Sequence, residues 1–331
     1  MKPKNVLVVG GAGYIGTHMV KELLAAGHKP VTLDDLSKGN RDLLPGGGFF
    51  EGDFGDAETI EEVLSKHPLD IVMHFGAHSL VGESVLNPLK YYENNISKTL
   101  VLIKSMLKQE VRHFVFSSSA AVYGEPEETP ITESHPCRPT NPYGSTKLVL
   151  EQILRDFDAA YGLKYASLRY FNAAGADESS LFGERHDPET HLIPLVMKAA
   201  LGVVKEVSVF GSDYPTPDGT CVRDYVHVTD LAKAHLLAMD YLIAGGPSRI
   251  YNLGNSRGYS VREMIKTAER VTGAVIPAVL SDRRPGDPAI LVASSERIKA
   301  DLGWRPQYED LETIVRTAWN WHKKDKLRSF N

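Results

Sequence analysis

Tyr143 and Lys147 stand four residues apart in NPYGSTKLVLEQIL, a spacing that places both on one face of a helix. A phenol ionises near ~10, too high for a general base at neutral pH. A nearby ammonium group and a bound positive ring would both favour the phenolate, and a shift of about 3 units corresponds to roughly 4 kcal/mol. The stretch VLVVGGAGYIGTHMVKELLAAG is suited to bind such a ring. Its glycines satisfy GxGxxG as Gly11, Gly13 and Gly16, and GxxGxxG as Gly10, Gly13 and Gly16. Either register brings backbone close to a pyrophosphate, and the helix beyond presents free N–H groups carrying about half a positive charge. Asp34 lies close to the expected ~20 residues onward, where a carboxylate accepts ribose hydroxyls and repels a 2′-phosphate. Asp35 adds to that repulsion, so NAD is the expected cofactor rather than NADP. Asp53, in EGDF, is placed either to meet the adenine or as a plain loop acid. Lys147 is expected to tune Tyr143 and to hold the nicotinamide ribose.

SSSAAVYGEP, residues 117–126, adds three hydroxyls at the end of the apolar run HFVF. In a doubly wound sheet, ligands bind outside the carboxyl ends of the strands. Ser119 is therefore assigned to the reacting hydroxyl beside Tyr143 and Ser117 to a cofactor contact, while one or two of the three serines serve only loop backbone.

These groups need a parallel sheet to position them. Candidate strands at Asn5–Val9, Pro30–Asp34, Asp70–Phe75, His113–Ser117 and Tyr165–Tyr170 alternate with helical patterns near 14–26, 57–66, 92–109 and 143–161. After about residue 175 glycine and proline become more frequent and the alternation stops. The expectation is an α/β chain with a Rossmann-like doubly wound domain at 1–175 and a smaller α+β substrate domain at 176–331, with segments free to interleave. Val207–Phe210, Ile250–Leu253 and Val261–Val271 are its short apolar pieces. Two helices are apolar on more than one face, through Ile96, Leu100, Val101, Leu102, Ile103, Met106 and Leu107, and through Leu148, Val149, Leu150, Ile153, Leu154 and Phe157. Such faces suit a homodimer or a deeply covered helix.

The 331 residues are 42% hydrophobic and 24% charged, which excludes disorder and coiled coil. A formal charge of −5 disfavours nucleic acid and anionic membranes. Cys137 and Cys221 are far apart without CxxC spacing, pointing to a reducing, cytoplasmic setting. The glycines at 10, 11 and 13 interrupt the first apolar run too early for a signal or membrane segment. His186, Asp187, Glu189 and His191 fit no familiar metal spacing and read as a solvated loop, so no metal is expected.

Gly10 to Gly16, Asp34, HFGAHSLVGES, YYENN, SSSAAVYG, YGSTK, LRYFNAAGA, DGTCVRDYVHV and RRPGD follow the order found in extended short-chain dehydrogenases/reductases. Over essentially its whole length the chain resembles the members of that family that epimerise UDP-sugars. The resemblance implies C4 oxidation to a bound 4-keto sugar, rotation and re-reduction by a retained NAD, interconverting UDP-glucose and UDP-galactose or, alternatively, N-acetylated or pentose UDP-sugars. It assigns cofactor contacts to Tyr14, Ile15, Asp34, Asp53, Phe54, Phe75, Asn94, Ser117, Lys147 and Tyr170. Phe171, Asn172, Leu192, Arg223, Arg284 and Asp287 are assigned to the UDP-sugar, and two guanidinium groups from separate segments suit a diphosphate. Three departures stand out: Ser79 replaces a pyrophosphate-binding lysine, His191 replaces an asparagine near the substrate diphosphate, and Leu291 occupies the position that limits pocket size. A 4,6-dehydratase would need an acid/base pair where this chain has Ala120 and Ala121. A dehydrogenase that releases its product and a nucleotide-sensing protein are the remaining alternatives, and the sensor would have little need for Tyr143 with Lys147.

Overall fold

The computed structural model describes residues 2–284 and 286–328; Pro285 of RRPGD and the terminal residues of the two expected domains lie outside them. Its centre is a seven-stranded parallel sheet in the spatial order Arg249–Leu253, Lys164–Tyr170, His113–Ser119, Ile71–His74, Asn5–Val9, Lys29–Asp34, Gly48–Glu51. Val6 to Val9 are fully buried because helices cover both faces, so this strand reads as a continuous apolar run rather than an alternating one. On one face Met19, Val20 and Leu23 of the helix Tyr14–Ala25 pack with Leu231, Ala238 and Met239 of the helix Val228–Ile243. On the other, Ile60, Val63, Leu102, Ile103, Leu150 and Leu154 cover the strands. The strand order reverses direction between Asn5–Val9 and Ile71–His74, which opens a crevice at the carboxyl ends.

A smaller unit stands over that crevice. The strand Val222–His227 pairs with Asn172–Ala174, Gly258–Ser260 and Ile290–Leu291, while Val207–Phe210 pairs with Ala278–Ser281. The helices Leu192–Ala200, Val261–Thr272 and Leu311–Arg328 contribute to one core there.

Two sequence expectations change. Ile250–Leu253, expected in the second domain, forms the edge of the large sheet against Lys164–Tyr170, so the chain returns to the first unit after entering the second. The helix expected over 92–109 is broken into Pro88–Tyr92, a wide π-helical turn at Glu93–Lys98, and Thr99–Lys108. The wide turn carries Asn95 inward, where its side chain bonds the His78 backbone through both N–H and carbonyl, at 2.9 and 3.1 Å, and Thr146 Oγ1 at 3.0 Å. Such turns recur where a side chain must be aimed.

Candidate active site

The strand Asn5–Val9 ends in a turn that only glycine can make. Gly10 has φ +74°, and a Cβ there would stand 2.6 Å from Gly76 N. A Cβ on Gly16 would meet Gly10 O at 2.2 Å, so this glycine sets how closely helix and turn approach. Gly13 precedes Tyr14 and Ile15 at a helix start that no side chain caps. An uncapped helix N-terminus beside close-packed glycine fits a pyrophosphate. Asp34, 7% exposed, accepts from Ala12 N and Leu36 N at 2.9 Å each, so the acid and the turn form one unit. Burial raises its pKa, and the two N–H donors oppose that rise. Farther along the crevice, Asp53 is paired with Lys98 at 2.5 Å and accepts from Gly55 N at 2.7 Å. Phe54 meets His74 edge-on at 5.1 Å, Phe75 lies 5.0 Å from His235, and Asn94 donates to Asn95 at 3.1 Å. The donor set fits a dinucleotide lying across the switch point. Ser79 is exposed.

Ser119 is the last residue of its strand, and its Oγ accepts from Ala121 N at 3.1 Å. The helix Pro142–Tyr161 starts against the same turn: Asn141 caps it through Gly144 N at 2.9 Å, and a Cβ on Gly144 would lie 2.4 Å from Ala121 O. That close approach brings Tyr143 to Ser119. Burial raises the Tyr143 pKa, and its hydrogen bond with Ser119 lowers it. Lys147 is 2% exposed, and its Nζ donates to Ser117 O at 2.7 Å, 5.8 Å from the Tyr143 ring centroid. Burial lowers its pKa to about 7 against the pull of Glu151. The sequence reading made Lys147 a tuner of Tyr143. In the chain alone the neighbour that eases the phenol's ionisation is Ser119, because the ammonium is turned to the Ser117 carbonyl.

The three serines divide their work. Ser117 shares a hydrogen bond with the Tyr170 hydroxyl, whereas Ser118 donates to Glu151 at 2.6 Å below the site. Ser118 is the structural member of the row. Glu151 receives Arg169 through two nitrogens at 2.9 and 2.5 Å, and both side chains are at most 4% exposed. Arg169 also donates to Tyr123, which donates to Asn252 at 2.7 Å. This network and Asn95 were missed from sequence. Its signal was present: Glu151 interrupts LVLEQIL and Arg169 interrupts ASLRYF, each a lone charge in an apolar run.

In the smaller unit Arg223 pairs with Asp287, and Asp287 N bonds Arg284 O at 3.2 Å. The Arg284 guanidinium lies 3.9 Å from the Phe210 ring centroid. Phe171 and Leu291 pack on Val122, Tyr123 and Ile131 beside the Ser119 turn, and Asn172 donates to Asp224 O at 3.0 Å. His191 precedes Leu192, the first residue of the helix Leu192–Ala200. Its Nδ1 is 2.7 Å from Glu184, so it faces its own loop. That loop is not the solvated segment expected: the Glu184 and Glu189 side chains are 6% and 2% exposed.

A family model described as NAD dependent epimerase/dehydratase family matches residues 6–254. The chain is 52% identical to a UDP-glucose 4-epimerase of Halalkalibacterium halodurans over 96% of each chain. Among solved structures it is similar to UDP-glucose 4-epimerase from Brucella ovis in complex with NAD, with TM-score 0.93 and 48% identity over 96% of this chain and 97% of that one. It is likewise similar to UDP-glucose 4-epimerase from Bifidobacterium longum in complex with NAD+ and UDP, with TM-score 0.93 and 42% identity over 97% and 99%.

Proposed function

Because the chain belongs to the NAD dependent epimerase/dehydratase family, we propose that it interconverts UDP-glucose and UDP-galactose at the crevice between its two units. The observation that carries this reading is the packing of the Tyr143 helix start against the turn that follows Ser119, at the strand ends that also hold the uncapped glycine turn. NAD held in this crevice would supply the hydride acceptor and donor that oxidation and re-reduction at the sugar C4 require.

Tyr143 takes the proton from the 4-hydroxyl and later gives it back, with Ser119 hydrogen-bonded to the same hydroxyl. Lys147, held at Ser117 O, would hold the nicotinamide ribose. Gly10, Gly13, Tyr14, Ile15 and Gly16 cradle the pyrophosphate, Asp34 the adenosine ribose, and Asp53 with Phe54 the adenine end. Phe75, Asn94, Ser117 and Tyr170 line the remainder. Arg223 and Arg284 hold the diphosphate, and Asp287, ion-paired with Arg223, completes that end of the site. Phe171, Asn172, Leu192 and Leu291 shape the pocket, and His191 steadies its edge. Residues 1–175 and 249–253 form most of the NAD-binding unit, and the UDP-sugar unit is built largely from 176–331.

A dehydratase in this family would require an acid/base pair next to Ser119. Ala120 and Ala121 occupy that turn and carry no titratable group. The half-buried Val101, Ile153 and Phe157 leave an apolar seam along two neighbouring helices, which suits a homodimer. Free Cys137 and Cys221 suit the cytoplasm, and among the described residues no helix is long and apolar enough to cross a membrane.

The test is incubation of purified protein with UDP-galactose, without added NAD, with products resolved by NMR. UDP-glucose at equilibrium, lost in Tyr143→Phe, supports the reading. No conversion even with NAD supplied overturns the hexose assignment. UDP-N-acetylgalactosamine and UDP-pentoses in parallel assays read the selectivity set at Leu291.

A further inference from the structure

The loop between the strand Asn172–Ala174 and the helix Leu192–Ala200 gathers Glu184, His186, Glu189 and His191. Each offers one ligand atom, and the four atoms lie within 4.8 Å of one another. His186 Nδ1 is 3.1 Å from Glu184 Oε1 and 3.9 Å from Glu189 Oε2. His191 Nδ1 is 2.7 Å from Glu184 Oε1 and 3.3 Å from Glu189 Oε1. Both imidazoles thus present the same nitrogen to both carboxylates. Four nitrogen and oxygen donors about 2.0–2.2 Å from a tetrahedral zinc ion stand roughly 3.3–3.6 Å apart, and the observed separations bracket that spacing.

An independent observation points the same way. The Glu189 side chain is 2% exposed, and while its Oε1 accepts from Thr190 N and His191 N at 2.8 and 2.9 Å, its Oε2 has no hydrogen-bond partner. A buried carboxylate oxygen without a donor is costly, whereas a cation at the centre would satisfy it. We propose that Glu184, His186, Glu189 and His191 bind one divalent transition-metal ion, with zinc the best match. Two imidazoles disfavour calcium and magnesium, which prefer oxygen donors alone. Four protein ligands close the sphere, so the ion is structural rather than catalytic.

Its place in the fold gives the ion its role. Glu184 O accepts from Trp321 Nε1 at 3.0 Å, which ties the loop to the C-terminal helix. Arg185 pairs with Asp42 at 2.9 Å, and its carbonyl accepts from Asn40 at 3.2 Å, both residues lying beyond the Asp34 strand. The His186 ring meets the edge of Tyr14, the first residue after the glycine turn, at 6.3 Å. The ion would lock the segment that joins the cofactor turn to the helix beginning at Leu192.

The full chain, purified without an affinity tag that binds metals, is assayed for metal by mass spectrometry. It is then treated with chelator and titrated with cobalt(II) and with zinc. Expected are about one zinc per chain or uptake to that level, visible d–d absorption of tetrahedral strength with cobalt, and a melting temperature several degrees higher with zinc than with chelator. The double variant His186→Asn with Glu189→Gln should lose the cobalt spectrum and the zinc-dependent shift. Wild-type protein that takes up neither ion overturns the proposal and leaves an imidazole–carboxylate hydrogen-bond cluster. A cobalt spectrum unchanged in the variant overturns it equally, and if the variant does not fold, the wild-type titrations decide alone.

Discussion

At Tyr143 a single oxygen carries the proton, so Tyr143→Phe should lower the epimerisation rate about 10²–10⁴-fold. The bound NAD, measured by absorbance after release, should remain, because the ring stays in place and only the hydroxyl is lost. An undiminished rate would remove Tyr143 from the chemistry. Lys147 makes a second prediction. Its folded pKa is lowered to about 7 by burial from an ordinary 10.5, so between those values the folded chain holds fewer protons than the unfolded one. Stability contributed by this group therefore rises with pH across that window, by up to ~1.4 kcal/mol per pH unit, and is level below 7, where both states hold the proton. Urea unfolding across the window should show that slope, and Lys147→Met should flatten it; equal slopes would reject the assignment. The pair was legible in the sequence because YxxxK fixes a shared helix face. The direction of the ammonium was not legible, since it depends on the Ser117 carbonyl, 30 residues away and brought near only by the sheet.

The strand–turn–helix of the glycine motif and the helix of Glu151 set the two predictions that belong to elements. Gly16→Ala drives a Cβ to within 2.2 Å of Gly10 O and 2.6 Å of Gly11 Cα, backbone atoms that cannot yield without moving the turn. That variant should be purified without NAD. Gly27→Ala, at φ +80° in open space, should retain NAD while losing only about 1 kcal/mol of stability. Retention of NAD by both would show that the turn does not hold the cofactor. Arg169→Met leaves the buried Glu151 without its ion-pair partner, only Ser118 still donating to it, and should cost about 3–5 kcal/mol in denaturant unfolding. Adding Glu151→Leu should recover part of the loss, and a larger loss in the double variant would mean that packing, not charge, dominates there. The parallel strands were readable because they are buried on both faces. The break at Glu93–Lys98 was not, because it is imposed by Asn95 reaching His78 and Thr146, contacts outside the helix that makes them. Ile250–Leu253 was misplaced for a related reason: its apolar pattern suits either sheet, and only the helix Val228–Ile243, returning across Tyr14–Ala25, decides which edge it joins.

Across the whole molecule, buried imidazoles couple folding to pH. His74 lies in the central sheet, while His227 and His235 belong to the start and the body of the helix that returns the chain to that sheet. Burial lowers their pKa values to about 3, 3 and 4, with Lys147 adding to the effect at His74 and His18 at His227; at His235 the Leu231 carbonyl opposes it. Each is neutral when folded and takes up a proton near 6.5 once unfolded. Below 6.5 the unfolded chain therefore binds more protons, and the stability these groups contribute is lost as pH falls toward 4, by up to ~4 kcal/mol per pH unit for three protons. His227 also stacks on Tyr308 at 4.2 Å and bonds Thr317 of the C-terminal helix at 3.0 Å, so its protonation strikes the seam between the two units. Denaturant unfolding as a function of pH should fall steeply from 6.5, and His235→Leu should reduce that slope by one proton's share, about 1.4 kcal/mol per pH unit. If the variant keeps the full slope, His235 binds its proton alike in the folded and unfolded chain, and the acid sensitivity of this molecule arises from its other titrating groups.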